Sequence, residues 1–501
     1  MQQKFDELCA MARKSNYLKS TLALLEWDQQ TKLPSAAGQY RSEQITFLSG
    51  ELHRHEVDTK RGELLGELAN SDLAADPHSD TGATIRVLKR RYDKKVKLPQ
   101  ALVESLAKAS SVGQQVWVEA RKTDDFKKFE PKLAEIFQLK REEAQAIGYE
   151  EHPYDAMLDE YEPGASTAEV TRVLTALKDE LVPLIAQVND SSSTVETDLL
   201  RRNYPIDKQE QFGRQASAAI GFEYDRGRLD VTHHPFCTEI GPEDVRLTTR
   251  YDESFFSSAF FGTLHEAGHG IYEQGLRSEF YGLPPGEYCS LGIHESQSRM
   301  WENLVGRSPE FWDHFYGSAA THFPEALSDV KQPDFVAAVN AVAPSLIRVE
   351  ADEATYNLHI IIRFELEQEL ISDTLAVGDL PSAWNDRYEQ YLGIRPDSDA
   401  NGVLQDVHWS AGLVGYFPTY ALGNLYAAQF FDAAQQELGD LGQQFGQGEF
   451  ASLKSWLNQN VHGRGKCYNS QQLSELLVGQ PIHHEPLIRQ LRHKLSPIYG
   501  L

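Results

Sequence analysis

The segment HEAGH has the residue types and the spacing of a metal site. His265 and His269 are four residues apart, in a stretch where apolar residues recur every three or four positions. An α-helix turns by about 100° per residue, so both imidazoles project from one face, one turn apart, and can bind the same ion. Glu266 lies one step round the helix, beside the open coordination position, where it can accept a proton from an activated water.

A third ligand is predicted further along the chain. Glu295 lies in SLGIHESQSRMWENLVGR, which its apolar spacing predicts to be helical from about residue 294. The segment 278–292 contains glycines and prolines, so the chain can turn back, and Glu295 would complete a set of two histidines and one glutamate. His294 is a rival ligand, but it would point about 100° away, which favours contact with substrate or with groups behind the ligands. Glu273 is a candidate partner for a ligand imidazole.

Two later segments carry polar groups that could bind a substrate. The segment 345–371 is predicted to be one helix with a polar stripe of Arg348, Asp352, Thr355 and His359, although such a stripe is often only a solvated face or an ion pair. The segment 402–426 differs, because its polar groups are set among glycines and apolar residues: Asp406, His408, Trp409, Tyr416 and Tyr420. Buried Tyr and His side chains find partners in any core, so a structural role stays equally open for them.

The elements that must position these groups are mostly helices. Apolar residues at spacings of three and four predict helices over 3–26, 83–98, 100–120, 128–147, 167–189 and 208–220. The segment 228–251 is the exception, since alternating β-branched and polar residues around a Gly-Pro-Glu-Asp turn predict a small antiparallel sheet. No fixed-period repeat or low-complexity linker interrupts the chain, which favours a single domain over 1–501 with a mainly α fold.

Composition excludes several classes of protein. The chain has 501 residues, with 48 Lys+Arg against 74 Asp+Glu and a net charge of −26, which argues against a nucleic-acid partner. The basic run 89–97 is therefore interpreted as a solvated helix face. Four cysteines without a CxxC pair exclude a zinc ribbon or a disulfide framework. No apolar stretch has the length of a membrane span or the pattern of a signal peptide, so we expect a cytoplasmic protein without a membrane partner.

Taken together, the motifs resemble the carboxypeptidase Taq family of zinc metallocarboxypeptidases, of the thermostable carboxypeptidase 1 type. The resemblance runs through nearly the whole chain in order. Its motifs are WDQQT at 27–31, HPYDAMLDEYEPG at 152–164, HPF at 234–236, DVRLT at 244–248, HEAGH at 265–269, HESQ at 294–297, IRVEAD at 347–352 and GVLQDVHW at 402–409.

This resemblance implies a large helical body split by a deep substrate groove, with a small antiparallel sheet near the metal, as in angiotensin-converting enzyme and neurolysin. It implies removal of single C-terminal residues from peptides with a free C-terminus, with broad specificity except for proline. It also implies one Zn²⁺ per chain, which Co²⁺ can replace, and a homodimer. Imidazole and carboxylate ligands alone do not separate these two metals.

The resemblance also implies a role for each matching residue. His265, His269 and Glu295 would hold the metal, and Glu266 would be the general base. His408 and Tyr420 would hydrogen-bond the scissile carbonyl as it becomes an oxyanion, and Arg348 would bind the C-terminal carboxylate of the substrate, a task that suits a guanidinium fork. Tyr416, His234 and Arg246 would bind substrate elsewhere, although Arg246 could equally pair with Asp244.

Two other functions remain open at this point. The first is a zinc oligopeptidase or dipeptidyl carboxypeptidase, because helical peptidases of this kind share the same metal motif. The second is a catalytically silent protein that only binds peptides, against which an intact Glu266 argues. The roles of Cys237 and Cys289, which lie next to two of the motifs, are not predicted.

Overall fold

Helices form most of the protein. The computed structural model describes all 501 residues, and 71% of them are helical. The helices are α1 Gln2–Thr31, α2 Gly38–Glu56, α3 Thr59–Ala69, α4 Asp80–Lys97, α5 Gln100–Lys122, α6 Phe126–Ile147, α7 Pro153–Tyr161, α8 Thr167–Asp190, α9 Ile206–Ala219, α10 Phe256–Gly275, α11 Leu291–Arg299, α12 Pro309–His322, α13 Pro324–Leu327, α14 Gln332–Val339, α15 Glu353–Ile371, α16 Leu380–Leu392, α17 Pro418–Leu438, α18 Leu441–Gly446, α19 Ala451–Asn460, α20 Ser470–Val478 and α21 Glu485–Tyr499. No helix combines the length and the apolar character needed to cross a bilayer.

The helices predicted from apolar spacing are confirmed, with ends that differ by a few residues. They correspond to α1, α4, α5, α6, α8 and α9. The start of α8 shows why a helix end can be predicted from the sequence. The Ser166 side chain caps the helix by accepting a hydrogen bond from the backbone N–H of Glu169. The prediction of one helix over 345–371 is wrong. Residues Arg348–Glu350 form a separate 3₁₀ turn, and α15 begins only after Asp352, whose carboxylate caps its first turn.

The chain divides into two compact units, each assembled from three separate stretches. Unit 1 consists of Met1–Lys95, Val195–Val339 and Ala427–Pro481. Unit 2 consists of Val96–Thr194, Asn340–Tyr426 and Ile482–Leu501. The metal motifs HEAGH and HESQ therefore belong to unit 1, whereas IRVEAD and GVLQDVHW belong to unit 2.

Unit 1 has an aromatic core behind the HEAGH helix. Phe256 and Phe260, one turn apart on α10, are buried and stack with a ring-centroid distance of 5.1 Å. Phe260 also stacks on Phe212 of α9 at 5.0 Å and lies 5.3 Å from the Trp312 ring of α12. Burial of large aromatic side chains of this kind contributes about 1.5–3 kcal/mol each. The apolar face of α10 is thus anchored in the core, and its other face is free to carry polar groups.

The predicted sheet is present, and its pairing is mixed. The strands are β1 Gly227–Val231, β2 Cys237–Gly241 and β3 Asp244–Thr249, in the spatial order β1-β3-β2. The β2–β3 pair is antiparallel, as expected, whereas β1 and β3 are parallel. The chain reverses at both connections, but β3 lies between β1 and β2. Alternation of residues locates strands, but it carries no information about which strand lies in the middle.

Candidate active site

The two histidines of HEAGH lie on one face of α10, as their spacing predicts. Their rings are 4.9 Å apart, centroid to centroid, and nearly perpendicular. Both are partly buried, while Glu266 between them is 7% exposed. Because Leu264 and Ile271 on the same helix are fully buried, the helix cannot rotate without exposing its apolar face. The fold therefore holds both imidazoles in a fixed direction.

A glycine inside the motif lets the second ligand helix approach α10 closely. A Cβ atom at Gly268 would lie 2.6 Å from the carbonyl oxygen of Gln297 and 2.6 Å from the Cα of Ser298, both on α11. Any larger residue would push α11 away, because backbone atoms cannot give way as a flexible side chain can. Gly268 thus sets the distance between the helix with the two histidines and the helix with Glu295.

The structure brings His265, His269 and Glu295 together. One ligand atom from each lies within 4.8 Å of the others. The Nε2 atoms of His265 and His269 are 3.7 and 3.4 Å from Glu295 Oε2. These distances exceed a normal hydrogen bond, but two ligands bound at about 2.0–2.2 Å to a tetrahedral ion are about 3.4 Å apart. The spacing of the three ligand atoms therefore fits a single metal ion.

The Nδ1 atom of His265 contacts a carboxylate that the sequence reasoning missed. It lies 2.9 Å from Glu302 Oε2, and Arg299 and Arg307 also bind the Glu302 carboxylate. Glu302 lies in a π-helical turn, Met300–Val305, that continues α11. Such wide turns are rare and often occur at functional sites. Because the Glu302 carboxylate binds Nδ1 of His265, the other ring nitrogen, Nε2, faces the metal position.

The second histidine is oriented by the backbone. His269 Nδ1 lies 3.1 Å from the carbonyl oxygen of His294, and the two imidazole rings stack at 4.4 Å. The His294 side chain lies 2.8 Å from Glu273 Oε1 and makes no part of the three-residue ligand cluster. The partner of a ligand imidazole is thus Glu302, not the candidate Glu273, which binds His294 instead.

Burial and neighbouring charges set the protonation of the cluster. Burial raises the pKa of Glu266 to about 7, which suits a group that must accept and return a proton. Burial, and then His294, lower the pKa of His269 to about 3, so its imidazole is neutral as a metal ligand must be. Burial raises the pKa of Glu295, but Arg299 and His265 more than offset this, and its carboxylate stays ionised.

In unit 2, Arg348 is buried and already bound to protein groups. Its Nε and Nη2 atoms donate to Asp406 Oδ1 at 3.0 and 2.7 Å, and its Nη1 donates to the Tyr356 hydroxyl at 2.9 Å. A guanidinium has five N–H groups, so two are not used by these three bonds. Asp406 also binds Arg363 at 2.6 Å, and the two arginines hold the pKa of this carboxyl below its ordinary range despite burial.

Three further predicted residues lie around Arg348 in unit 2. Tyr420 lies below the Arg348 guanidinium, 5.3 Å from ring centroid to Cζ. His408 packs 5.4 Å from the ring of Tyr416, and Tyr416 lies 5.5 Å from Tyr420. Burial lowers the pKa of His408 to about 4, although Asp406 opposes this, so the imidazole is neutral near pH 7. A neutral imidazole can donate one hydrogen bond without carrying charge.

The remaining predicted residues of unit 1 lie in or beside the sheet. His234 is exposed in the connection between β1 and β2. Arg246 on β3 makes two hydrogen bonds to Asp244, of 2.8 and 2.7 Å, and lies 4.2 Å above the Trp27 ring. This pairing is the alternative that the sequence left open for Arg246.

The two cysteines next to the motifs are also placed by the structure. Cys289 donates to the Tyr468 carbonyl at 3.3 Å. Burial raises the pKa of Cys237 well above its ordinary value.

Comparison with known proteins identifies the family of this chain. The family model of the carboxypeptidase Taq (M32) metallopeptidases matches residues 7–495. The chain is 43% identical to thermostable carboxypeptidase 1 of Thermus thermophilus over 99% of both chains, and 38% identical to carboxypeptidase 1 of Bacillus subtilis over 99% and 98%. The crystal structure of the M32 carboxypeptidase of Deinococcus radiodurans superposes with a TM-score of 0.96, at 38% identity over 100% of both chains. The chain belongs to the carboxypeptidase Taq (M32) family of metallopeptidases.

Proposed function

We propose that the protein is a zinc-dependent carboxypeptidase that removes single residues from the C-terminus of peptides, with broad specificity except for proline. The observation that carries the proposal is the cluster of His265, His269 and Glu295, whose ligand atoms lie within 4.8 Å of one another beside the buried Glu266. The names of the Thermus and Bacillus relatives, both carboxypeptidases, support the reaction class.

In this proposal His265, His269 and Glu295 hold the ion, and an ion bound there would act as a Lewis acid that polarises a carbonyl and acidifies water. Glu266 accepts the proton of the attacking water on its carboxylate, for which a pKa of about 7 is suitable. Glu266 then returns the proton to the amine nitrogen of the leaving residue. The water hydroxyl bonds to the carbonyl carbon and the C–N bond of the scissile peptide breaks. The atoms balance, because the hydroxyl gives a carboxylic acid, which then ionises, and the proton carried by Glu266 completes the amine.

The residues of unit 2 keep the roles that the family resemblance implies. His408 and Tyr420 would donate hydrogen bonds to the carbonyl oxygen of the scissile bond. Arg348 would bind the free C-terminal carboxylate with the two N–H groups that are not bonded to Asp406 or Tyr356. Tyr416, His234 and Arg246 are proposed as more distant substrate contacts. The homodimer and the cytoplasmic location also remain predictions.

One digest tests the proposed reaction. The zinc-loaded protein is incubated with a mixed set of peptides, each offered with a free and with an amidated C-terminus, and the products are weighed by mass spectrometry over time. We expect a ladder of single-residue losses from the free C-terminus that stops before proline, with the amidated peptides cleaved far more slowly. Internal fragments or losses of two residues would instead identify an oligopeptidase or a dipeptidyl carboxypeptidase, and uncleaved peptides would identify a silent binding protein.

A further inference from the structure

A fully buried carboxylate on α15 contacts both ends of the segment that carries His408. This segment, residues 408–416, is named the His408 loop here. Glu367 accepts a hydrogen bond from the Trp409 indole at 2.7 Å, directly after His408, and one from the Gly415 N–H at 3.0 Å, directly before Tyr416. Glu367 is 0% exposed. A single side chain thus bonds to the loop beside each of the two residues predicted to meet substrate.

We propose that Glu367 is a positioning residue of the peptidase reaction, which fixes the conformation of the His408 loop and thereby places the His408 imidazole and the Tyr416 ring. The proposal rests on the proposed function, because it assumes that the His408 loop acts on the substrate. In this proposal Glu367 does not contact the substrate itself and acts only through the His408 loop. It lies outside every motif on which the family resemblance was based.

The geometry of the loop makes it dependent on outside contacts. After His408 the chain makes a 3₁₀ turn, Trp409–Ala411, and then uses positive φ angles at Gly412 and Gly415, of 74° and 87°. It contains no α-helix or strand that would hold it by regular hydrogen bonds. A Cβ atom at Gly415 would lie 2.6 Å from the backbone of Met157, so the loop also packs tightly on α7. Its shape is therefore set by tight packing together with the bonds to Glu367.

Losing the hydrogen bonds that Glu367 accepts would cost free energy, because their donors are buried. Trp409 is 4% exposed, and its indole has no donor other than the Nε1–H. A buried donor without an acceptor costs about 1–3 kcal/mol, so the loop would shift to find water or another partner. The His408 ring packs 4.5 Å from Phe417 and 5.4 Å from Tyr416, and a displaced loop would carry these rings with it.

The two oxygens of the Glu367 carboxylate accept hydrogen bonds from three donors. Trp409 donates to Oε1, whereas Gly415 and the Tyr154 hydroxyl both donate to Oε2. Both oxygens therefore face donors. In Glu367→Gln the amide nitrogen would face the Trp409 indole in one orientation and the Gly415 N–H in the other, so one bond to the loop would be lost in either case. Tyr154 lies on α7, outside the His408 loop, so its hydroxyl can be removed without touching either bond to the loop.

A double-mutant cycle tests the proposal. Four variants of the zinc-loaded full chain are compared with the wild type: Glu367→Gln, His408→Ala, the double variant with both changes, and Tyr154→Phe. For each protein, kcat and KM are measured on the same peptide at about pH 8. Misplacing a catalytic group by about 1 Å can cost about 100-fold. We therefore expect Glu367→Gln to lower kcat/KM by about 10–100-fold, and Tyr154→Phe to stay within about twofold of the wild type. We also expect the loss in the double variant to be clearly smaller than the two single losses combined.

Zinc content and thermal unfolding are measured on every variant, since the proposal requires zinc content to be unchanged and each protein to be folded at the assay temperature. If Glu367→Gln does not fold, Trp409→Phe replaces it in the cycle, because it removes one donor and keeps the carboxylate. Additive losses in the double variant would overturn the proposal, as would wild-type activity in Glu367→Gln or in His408→Ala, or an equal loss in Tyr154→Phe. An inactive wild type would contradict the proposed function instead.

Discussion

His265 Nδ1 and Glu302 Oε2 are 2.9 Å apart, although the two residues come from different helices. The same carboxylate is bound by Arg299, which also donates to Glu295 Oε1 at 2.7 Å. One arginine thus joins the carboxylate behind the histidine to the carboxylate of the predicted ligand set. Removing either acidic group would leave the partly buried Arg299 guanidinium with fewer partners. We therefore expect metal binding to respond to residues that do not touch the ion.

The first prediction concerns Glu302. Glu302→Gln keeps the size of the side chain but removes the charge that orients His265 and supports its basicity. We expect the affinity for Zn²⁺ to fall by about 10–100-fold, as is typical when the partner of a ligand histidine is lost. Competition with a chromophoric chelator measures this directly, without any peptide. Glu325→Gln, at an exposed position on α13, is the control and should bind zinc like the wild type. Equal affinities in both variants would show that Glu302 has no influence on the ion.

The second prediction concerns two glycines of α10. Gly268→Ala should lower the free energy of unfolding by about 1–3 kcal/mol, because the new methyl group meets the backbone of α11 at 2.6 Å. It should also weaken zinc binding, since α11 carries Glu295. Gly262→Ala is the matched control on the same helix, where no atom lies within 4 Å of the added Cβ. That variant should gain about 0.5–1 kcal/mol, because alanine is the better helix former. Urea unfolding of both variants measures the difference.

The third prediction concerns Glu266. Glu266→Gln should retain zinc, because Glu266 is not one of the three residues that hold it, and should lose turnover by about 10²–10⁴-fold, the usual contribution of a general base. Zinc analysis and a peptide assay on the same preparation separate the two effects. A variant that keeps zinc and cleaves at the wild-type rate would refute the base assignment. A variant that loses zinc would show that Glu266 contributes to the ligand set.

The fourth prediction concerns the pH dependence of stability. Burial raises the pKa of Glu367 from 4.5 to about 7, although bonds from Tyr154, Gly415 and Trp409 lower it in part. Between pH 4.5 and about 7 the folded chain holds a proton that the unfolded chain has released. The free energy of unfolding contributed by this group should therefore fall as the pH rises through that range, and level off above it.

Glu367→Gln removes the titration, so its free energy of unfolding should lack this decline. Urea unfolding of the wild type and the variant at about pH 5, 6, 7 and 8 gives the comparison. The gap between the two proteins should change across this range and then become constant. Parallel curves for both proteins would contradict a raised pKa at Glu367. Tyr154→Phe, which keeps the carboxyl group, should show the decline as well, extended to higher pH because a bond that lowers the pKa of Glu367 is lost.

Local patterns predicted six of the 21 α-helices and the three residues of the candidate metal cluster. Apolar spacing located α1, α4, α5, α6, α8 and α9, because each buries one face against its own unit. The spacing of HEAGH predicted the two imidazoles, since four residues make about one helical turn. Glu295 was found because a carboxylate on a second helix was the missing part of a known ligand set. These inferences needed only short-range geometry.

Contacts between residues far apart in the chain could not be predicted from the sequence. Glu302 lies seven residues after Glu295, a spacing that an α-helix places on the same face, but nothing in the sequence indicates the π-helical turn or the direction of its carboxylate. The helix start at Asp352 was missed because apolar spacing extends past the cap into the 3₁₀ turn with Arg348. Glu367 has no motif around it, and its importance depends on donors far away in the chain. The middle position of β3 likewise depends on how a connection crosses the sheet.

The π-helical turn at Met300–Val305 also limits how this site can be altered or transplanted. Deleting one residue between Glu295 and Glu302 would rotate Glu302 by about 100° about the helix axis relative to Glu295, away from His265. The number of residues between Glu295 and Glu302 is therefore as important to the candidate metal centre as the side chains themselves. An engineered scaffold that copies HEAGH and HESQ onto straight helices would reproduce the three ligands and leave one imidazole without its support.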